Sequence, residues 1–408
     1  MNTDDRNFEI ASRFVIKLGT LAHRYGTQAR RLESYLSRVT RTLGYDGVFS
    51  STPTEILFTF KKKDDLWYKT HLIKMPGTGF NLYKLAKVGG LVSGLESGEI
   101  TLSEAKDRLD EVDNMPPVCC KRLTALGYAL SGAGFAGFLK CGIIDIILAA
   151  VMSVVVYVII LYTDKYSERL EHWIPFLCTF ITGIIVSLIS LLLPEIQVYL
   201  ITLSAVIYLI PGFTISVGIM ELSYKYVQSG IINIVNGLVY LALLFAGAWV
   251  GITMIRSFFP VQFVSITSVS TNFIWLSAMI MAVGLCIIFQ LPKRDFLWAV
   301  AGSGIACIGI VLGEAVLDID AGNFLGTVFA VIFANIWSTK TNRPASLVLL
   351  PSIVFLVSGS IGFRGFVALS AHNTSTGYQE LFHMFVVAIT LAVGLILGNT
   401  IYKAKISL

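Results

Sequence analysis

Acidic side chains inside apolar sequence are the first sign of chemistry in this chain. Four of them lie in or beside long apolar runs: Asp145, Glu195, Glu221 and Glu314. A carboxylate inside the bilayer is costly, and such residues usually pair with a cation or carry protons along a transport path. Glu195 and Glu314 fall near the expected ends of helices, where water can solvate them. We predict proton coupling through Asp145, Glu221 and Glu314, with Asp145 and Glu221 as the preferred pair.

An interrupted helix is the second sign. The stretch "YLIPGFTISVGIMEL", residues 208–222, carries Pro211 and Gly212 in the middle of an apolar run. Proline inside a helix costs about 3 kcal/mol and glycine about 1 kcal/mol. In lipid the freed backbone groups cannot bond to water, so such a break is tolerated only where it is buried in protein or lines a cavity. We expect this break to line a solute path; a proline kink that serves packing alone is the competing interpretation.

The interruption is repeated in the second half of the chain. Pro351 and Ser352 in "VLLPSI" lie 140 residues after Pro211 and Gly212, and Gly359 follows in "VSGSIGFRG". Freed helix ends suit a zwitterionic solute such as a small amino acid, because amide groups attract a carboxylate and carbonyl groups attract an ammonium. For one further candidate, Asn335, a hydrogen bond between helices is the alternative. The residues predicted to bind substrate are Pro211, Gly212, Glu221, Asn335, Pro351, Ser352 and Gly359.

Transmembrane helices are the elements that would position these residues. The 408 residues are 55% hydrophobic, with a mean hydropathy of +0.74, which is typical of a polytopic membrane protein. A bilayer core needs roughly 20 apolar residues per helix. We therefore predict ten spans, near residues 122–139, 143–162, 174–193, 196–212, 231–255, 272–291, 296–316, 320–338, 345–362 and 380–402. A charged head, residues 1–118, precedes two five-helix units, residues 119–256 and 257–408.

Landmarks at a nearly constant offset indicate that the two units are repeats. The segment "PFLCTFITGIIVSLI" resembles "NFLGTVFAVIFANIW" 148 residues later, and the GxxxG pair Gly247/Gly251 precedes Gly394/Gly398 by 147 residues. Two copies with an odd number of spans cross the membrane in opposite directions. The predicted fold is an α-helical polytopic membrane protein with two five-helix inverted repeats and a small cytoplasmic α+β head.

Loop charge predicts the orientation, because cytoplasmic loops are enriched in Lys and Arg. With the head inside, the outer loops contain only Lys140, Arg256 and Arg364. The inner loops and tail contain Lys165, Arg169, Lys225, Lys293, Arg294, Lys340, Arg343, Lys403 and Lys405. The start of the chain does not have the pattern of a cleaved signal peptide. We expect a multi-pass protein of the cell (inner) membrane with both termini in the cytoplasm.

The head itself shows two amphipathic helices, strands joined by at least one hairpin, and two more helices, the last with a capping box at Thr101 and Glu104. His23 and His71 are isolated, and GxSxG, HExxH and P-loop motifs are absent, which argues against an enzyme and against ATP coupling. Six cysteines without CxxC spacing predict no metal or cofactor. The basic helix "RYGTQARRLESYLSRVTR" suits anionic lipid headgroups better than nucleic acid.

Several of these motifs, in this order, resemble the threonine/serine exporter family across nearly the whole chain. They are "GTQARRLESYLSRVTRTLG", "TPTEILFTF", "GFNLYKLAKVGGLVSGLESGEITLSEAKDRLDEVD", "YLIPGF" and "LVLLPSIVFLVSGSIGFRG". The "TPT" motif is Thr52, Pro53 and Thr54. Pro351-Ser352 and Ser358-Gly359 stand where the family's second unit has Pro-Gly. The resemblance implies a cytoplasmic head followed by a five-helix unit and a smaller second unit.

The resemblance further implies export of threonine and serine, and related two-chain members imply dicarboxylates such as succinate as the alternative. Together with the intramembrane acids, it predicts a secondary transporter, driven by protons, whose partners are a small amino acid, protons and the lipid bilayer. A homo-oligomer is left open. A membrane-anchored sensor is the alternative from another functional class. Its signalling output should persist if substitutions made the helices continuous at the breaks.

Overall fold

The computed structural model describes residues 3–62, 68–75, 79–166, 168–259, 273–316, 319–356 and 359–404. The head begins with helices α1 (Thr3–Arg24) and α2 (Ala29–Thr42). Strands β1 (Asp46–Ser51), β2 (Glu55–Lys61) and β3 (Lys69–Lys74) form one antiparallel sheet in the order β1-β2-β3. Helices α3 (Leu82–Glu96) and α4 (Leu102–Asn114) complete the head. The helices and the small antiparallel sheet predicted for the head are thus present.

Alternating burial along β2 explains how the head folds. Ile56, Phe58 and Phe60 are all buried on one face of the strand, because successive side chains in a strand point to opposite faces. The apolar sides of α1 and α2 cover that face, with Leu18 and Leu36 fully buried. The predicted N-terminal cap of α4 is also present, since the Thr101 side chain accepts a hydrogen bond from the Glu104 amide.

The rest of the described chain consists of two series of helices in the same order. The first contains α5 (Lys121–Phe138), α6 (Ile143–Tyr166), α7 (Ile174–Ser190), α8 (Val198–Ala205), α9 (Gly212–Ser223) and α10 (Val227–Phe258). The second contains α11 (Ile274–Ile288), α12 (Phe296–Val316), α13 (Ile319–Thr341), α14 (Ser346–Ile353), α15 (Gly359–Ser370) and α16 (Thr374–Ile401). In the first series α8 lies within the predicted span 196–212 and α9 begins where that span ends; in the second series α14 and only the start of α15 lie within the predicted span 345–362.

Five helices of the described chain are long and apolar enough to cross a membrane, and α8 with the segment up to Ser223 makes a sixth if this pair, bent by 63°, is one span. The fold is therefore mostly helical and membrane-embedded, while the count of ten spans and their inverted-repeat relation stay predictions. The 63° bend lies between Ala205 and Ile207, a few residues before Pro211, and α9 begins only after Pro211, which has no amide hydrogen to continue a helix from the preceding residues.

Close packing of small residues joins the helices. The GxxxG glycines of α10 lie against α7, and those of α16 lie against α13. The first helices of the two series, α5 and α11, cross at Gly134, where an added Cβ would lie 2.5 Å from the Met281 nitrogen. In a bilayer the hydrophobic effect does not drive helices together, so the van der Waals packing at such crossings stabilises helix association. Such crossings join α5 to α11, α7 to α10 and α13 to α16.

Candidate functional site

A cavity of about 290 Å³ lies at the first helix break. Its walls come from the head, from both sides of Pro211, from α5 and α10, and from the end of α11, α14 and α15. The lining residues are Phe80, Phe135, Ile207, Tyr208, Leu209, Ile210, Pro211, Phe213, Thr214, Asn236, Gly237, Tyr240, Phe289, Leu350, Val354 and Ser360. Elements of both helical series therefore enclose one space, which we call the central cavity. Its volume suits a small solute.

Three backbone amides at the first break have no hydrogen bond within the helix. Helix α8 ends at Ala205, a short 3-10 turn follows, and α9 starts again directly after Pro211. The first helical hydrogen bond of α9 runs from the Ile215 amide to the Pro211 carbonyl oxygen, at 3.1 Å. The amides of Gly212, Phe213 and Thr214 thus precede the hydrogen-bonded part of the helix, and no side chain caps them. They give this end of the cavity a partial positive charge.

The second break lies directly against the first. Helix α14 ends at Ile353, and α15 starts at Gly359. A Cβ added to Gly359 would lie 3.1 Å from the Gly212 nitrogen, so the starts of α9 and α15 are in contact. Ser360, the second residue of α15, lines the central cavity. Two helix N-termini therefore lie at one cavity, as expected if the breaks face each other.

Pro351 and Ser352 contribute to this site through the helix that contains them. Both are buried in α14, and the Ser352 hydroxyl donates to the Val348 carbonyl oxygen at 2.7 Å. Their neighbours Leu350 and Val354 line the cavity. Of the residues predicted to bind substrate, Pro211 touches the cavity itself, while Gly212 and Gly359 form the contact between the two breaks.

Polar groups in the cavity wall include residues that the sequence pattern does not single out. Thr214 and Ser360 sit in the first turns of α9 and α15, and Tyr208 and Tyr240 add phenol groups. Asn236 supplies an amide from α10. In the sequence, only their positions could have indicated that these residues line a site. Thr214 comes three residues after Pro211, and Ser360 follows the first residue of α15. Such positions become informative only once both breaks are known to share one cavity.

The acidic residues do not gather in the central cavity. Asp145 is buried at the start of α6, where its two oxygens accept hydrogen bonds from the backbone amides of Gly142 and Gln197, each at 3.1 Å. This geometry is that of a helix cap that also fixes the start of α8. Glu314 is exposed near the end of α12. Neither belongs to the wall of the central cavity within the described residues.

Asn335 is fully buried between α13 and α16. Its side-chain amide donates to the Asn399 side chain at 3.1 Å and to the Tyr402 carbonyl oxygen at 2.6 Å. This is the interhelical hydrogen bond considered above as the alternative to substrate contact. Asn335 therefore fastens the end of α16, and the cavity residues described here do not include it.

Glu221 lies in a second, smaller cavity of about 90 Å³ between the head and the body. We call it the head-side chamber. The head contributes His23, Gly26, Thr27, Gln28, Ala29, Thr52, Pro53 and Phe80, and the body contributes Phe213, Thr214, Val217, Glu221, Ser229 and Asn233. The loop between α1 and α2 and the "TPT" turn thus cover the corner between α9 and α10.

Hydrogen bonds from both sides fix the Glu221 carboxylate. The Ser229 hydroxyl and the Asn233 amide each donate to Oε2 at 2.8 Å. The backbone amide of Ala29, the first residue of α2, is a further donor. Because Gln28 gives α2 no side-chain cap, the carboxylate of the body occupies the positive end of a helix in the head. The Arg30 guanidinium stacks on Tyr224, 3.6 Å from the ring centre, so the basic helix docks on the body.

Phe80 separates the two cavities. Its ring lines both of them and packs against Phe213 and Phe289, with ring centres 6.4 Å and 5.4 Å apart. Gly26, at φ +99°, lets the chain turn beside this ring, and a Cβ there would lie 2.6 Å from Phe80 Cδ1. The Leu82 amide bonds to the Phe289 carbonyl oxygen at 3.0 Å. Phe80 is thus a head residue held in the body, between the central cavity and the head-side chamber.

His23 has a defined proton arrangement in the wall of the head-side chamber. Its Nε2 lies 2.9 Å from the Thr52 carbonyl oxygen, which only accepts, so Nε2 carries the proton in the neutral ring. Burial lowers the pKa of His23 below its ordinary value of 6.5, although the Thr52 carbonyl partly offsets this. The ring is therefore neutral near pH 7, with Nδ1 as a free acceptor among the described residues.

His23→Gln is expected to weaken the acid sensitivity of the protein. Below pH 6.5 the unfolded chain binds a proton at His23, whereas the folded chain binds it less readily. The contribution of His23 to the free energy of unfolding therefore falls by up to about 1.4 kcal/mol for each unit by which the pH drops, and it is constant above neutral pH. Melting temperatures of the purified full chain at pH 7.5 and 5.5, wild type against His23→Gln, measure this contribution. Equal losses in both proteins would contradict it.

Comparison with known proteins agrees with this architecture. Two family models, both described as threonine/serine exporters, match residues 13–255 and 274–401. No solved structure matches the chain. The boundary between the matched regions falls between α10 and α11, where the second helical series begins.

Fungal proteins are among the curated relatives. Pheromone-regulated membrane protein 10 of Yarrowia lipolytica is 23% identical over 89% of this chain and 31% of its own length. The protein of the same description from Debaryomyces hansenii is 24% identical over 59% of this chain and 24% of its own length. An uncharacterized protein of Schizosaccharomyces pombe is 21% identical over 86% of this chain and 48% of its own length. The chain thus spans less than half the length of these relatives. From the family matches, which cover both helical series and most of the head, the chain belongs to the threonine/serine exporter family of membrane transporters.

Proposed function

We propose that the protein is a secondary transporter that exports small hydroxyl-containing amino acids, threonine and serine, across the cell membrane. The observation that carries this proposal is the central cavity between two touching helix breaks. A cavity of about 290 Å³ between the two helical series, with the first turn of α9 in its wall, suits binding of a small solute better than packing alone. Family membership supports the substrate class and the direction.

The groups of the central cavity match the parts of a small zwitterion. The N-termini of α9 and α15 favour the carboxylate, as helix N-termini do for anions generally. Asn236 and the phenol oxygen of Tyr240 offer acceptors to the ammonium or the hydroxyl of the solute. The aromatic ring of Phe135 faces the same space and suits the short aliphatic part.

Coupling to protons is proposed for Asp145, Glu221 and Glu314, of which the first two are buried and Glu314 is exposed. Glu221 is the best placed of the three, because it lies in the chamber next to the central cavity and shares the neighbours Phe213 and Thr214 with it. Asp145 holds two backbone amides and would couple indirectly, through the start of α8. The distribution of loop charge supports an orientation with the head and both termini in the cytoplasm. No nucleotide-binding motif occurs that would support ATP coupling.

Export of dicarboxylates is the second candidate, and a specific feature favours it. Two helix N-termini meet at the central cavity, whereas no Asp or Glu is among the described residues that line it. A dianion such as succinate would place one carboxylate at each helix end. The ammonium of an amino acid would instead rely on neutral acceptors. Direct measurement of both substrates is needed to choose between the candidates.

Purified protein in liposomes separates them. We expect release of labelled threonine and serine that a pH gradient accelerates, and little release of labelled succinate. Release of succinate alone would move the assignment to the second candidate. Absence of flux for all three solutes, with folded protein in the membrane, would refute a transporter of this class and favour the sensor.

Asn236→Leu is expected to reduce threonine flux about tenfold while leaving the fold intact. Leucine has the same branching and the same number of side-chain heavy atoms as asparagine, so the change mainly removes a polar group from the cavity wall, at a cost of about 1–3 kcal/mol in solute binding. Initial rates in the same liposomes test this. Val235→Leu, on the lipid-facing side of α10 where Val235 is 50% exposed, is the matched control and should transport like the wild type. Equal rates for both variants would remove Asn236 from the site.

A further inference from the structure

The head-side chamber contains buried polar atoms without hydrogen-bond partners. Nδ1 of His23 and Oγ1 of Thr27 are both unpaired among the described residues, and the two side chains are 3% and 6% exposed. Buried polar groups nearly always find a partner, so each unpaired atom calls for an explanation. Here both belong to the wall of the same cavity, which is several times larger than the space that one water molecule needs. A bound group would satisfy them.

The chemistry of the chamber selects for hydrogen-bond donors. Since Nε2 of His23 donates to Thr52, Nδ1 can only accept. The Glu221 carboxylate is also an acceptor, and Thr27 offers a hydroxyl oxygen. No Lys or Arg is among the residues that line the chamber in the described chain. A solute carboxylate would meet the charge of Glu221 without a compensating cation, whereas an ammonium would find three acceptors.

We propose that the head-side chamber is a second, cytoplasmic subsite of the transport path, in which His23, Thr27 and Glu221 bind the ammonium group of the solute before it passes Phe80. This inference rests on the proposed function and deepens it. The head supplies two of the three groups and is therefore part of the substrate path. The subsite also explains how a central cavity without acidic residues can belong to an exporter of amino acids, because selection for the ammonium takes place at the entrance.

Position supports the same assignment. The chamber and the central cavity share Phe80, Phe213 and Thr214, so a solute leaving one enters the other when the Phe80 ring moves aside. Burial keeps His23 neutral near pH 7 by lowering its pKa, which preserves Nδ1 as an acceptor. Ser229 and Asn233 hold the carboxylate of Glu221 by one oxygen, Oε2, in a fixed orientation.

Thr27→Val tests the subsite with little change in shape. The half-saturating concentration of threonine in liposomes should rise about tenfold, because a buried donor of the solute loses its acceptor. The variant protein without solute should melt at the same or a higher temperature, since an unpaired hydroxyl has been removed. A residue with a merely structural role would not combine weaker binding with undiminished stability. Thr27→Ser keeps the hydroxyl and should behave like the wild type.

His23→Phe and His23→Gln form the second matched pair. Phenylalanine removes the Nδ1 acceptor and should weaken threonine binding to a similar extent, whereas glutamine keeps one donor and one acceptor and should retain most of it. Unchanged half-saturation in both Thr27→Val and His23→Phe would overturn the subsite while leaving the proposed function standing. If Thr27→Val and His23→Phe weakened succinate binding as much as threonine binding, the head-side chamber would not select for an ammonium group. Wild-type protein that transports neither threonine nor serine would instead refute the proposed function.

Discussion

Gly134→Ala is expected to lower the free energy of unfolding of the membrane body by about 3 kcal/mol, the upper end of overpacking costs. A methyl group at this position would lie 2.5 Å from the Met281 nitrogen, 2.7 Å from the Ser277 carbonyl oxygen and 2.8 Å from the Met281 Cα. All three atoms belong to the backbone of α11. A rotamer change cannot relieve such contacts, so α5 and α11 must separate.

Gly304→Ala is the matched control. Gly304 also lies in a helix of the body, α12, but an added Cβ there meets only the flexible end of Met279, at 3.1 Å. The higher helix propensity of alanine should make this variant neutral or up to about 1 kcal/mol more stable. Thermal unfolding of both proteins in detergent, followed by the monodisperse fraction, gives the comparison. Equal melting temperatures would show that α5 and α11 do not cross as closely as described.

Gly134→Ala should also affect transport, because the α5–α11 crossing borders the central cavity. Phe135, next to Gly134, lines the central cavity, and Phe289 follows the end of α11. Displacement of either helix changes the width of the cavity. The stability of the crossing and the geometry of the solute site thus depend on one pair of backbones.

Much of the fold follows from local patterns in the sequence. The strands of the head are predicted by alternation, as at Ile56, Phe58 and Phe60, and the cap of α4 by Thr101 and Glu104. Pro211 marks the break because the loss of an amide hydrogen is a local property. Each of these signals depends on residues a few positions apart, which is why a single sequence suffices.

The site depends on contacts that no local pattern encodes. Asp145 reads as an intramembrane acid, but the amide that it binds at Gln197 is 52 residues away. Asn335 likewise finds its partners on α16. The head-side chamber exists only because the loop before α2 docks at Glu221, and His23 appears isolated in the sequence for that reason. Polar residues whose partners are distant cannot be assigned to binding or to packing before the helices are placed.

Phe80→Ala is expected to increase leakage of threonine through the protein about thirtyfold. The ring of Phe80 contacts Phe213 and Phe289, and aromatic pairs of this kind contribute about 1 kcal/mol each. Losing both lowers the cost of joining the head-side chamber to the central cavity by about 2 kcal/mol, or roughly thirtyfold in the ratio of open to closed forms. Gradient-independent release of labelled threonine from liposomes measures this flux.

Phe80→Leu is the control for this experiment, because leucine keeps most of the apolar volume between the cavities and should leak far less than alanine. The head should remain docked in both variants, since the Leu82 amide and the Phe289 carbonyl oxygen bond through the backbone. Unchanged leakage in Phe80→Ala would mean that Phe213 alone closes the passage. If leakage and the rate of gradient-driven export both decreased in Phe80→Ala, Phe80 would instead be a residue that positions the solute. A thirtyfold leak with stability preserved would make Phe80 of the head a gate between the two cavities.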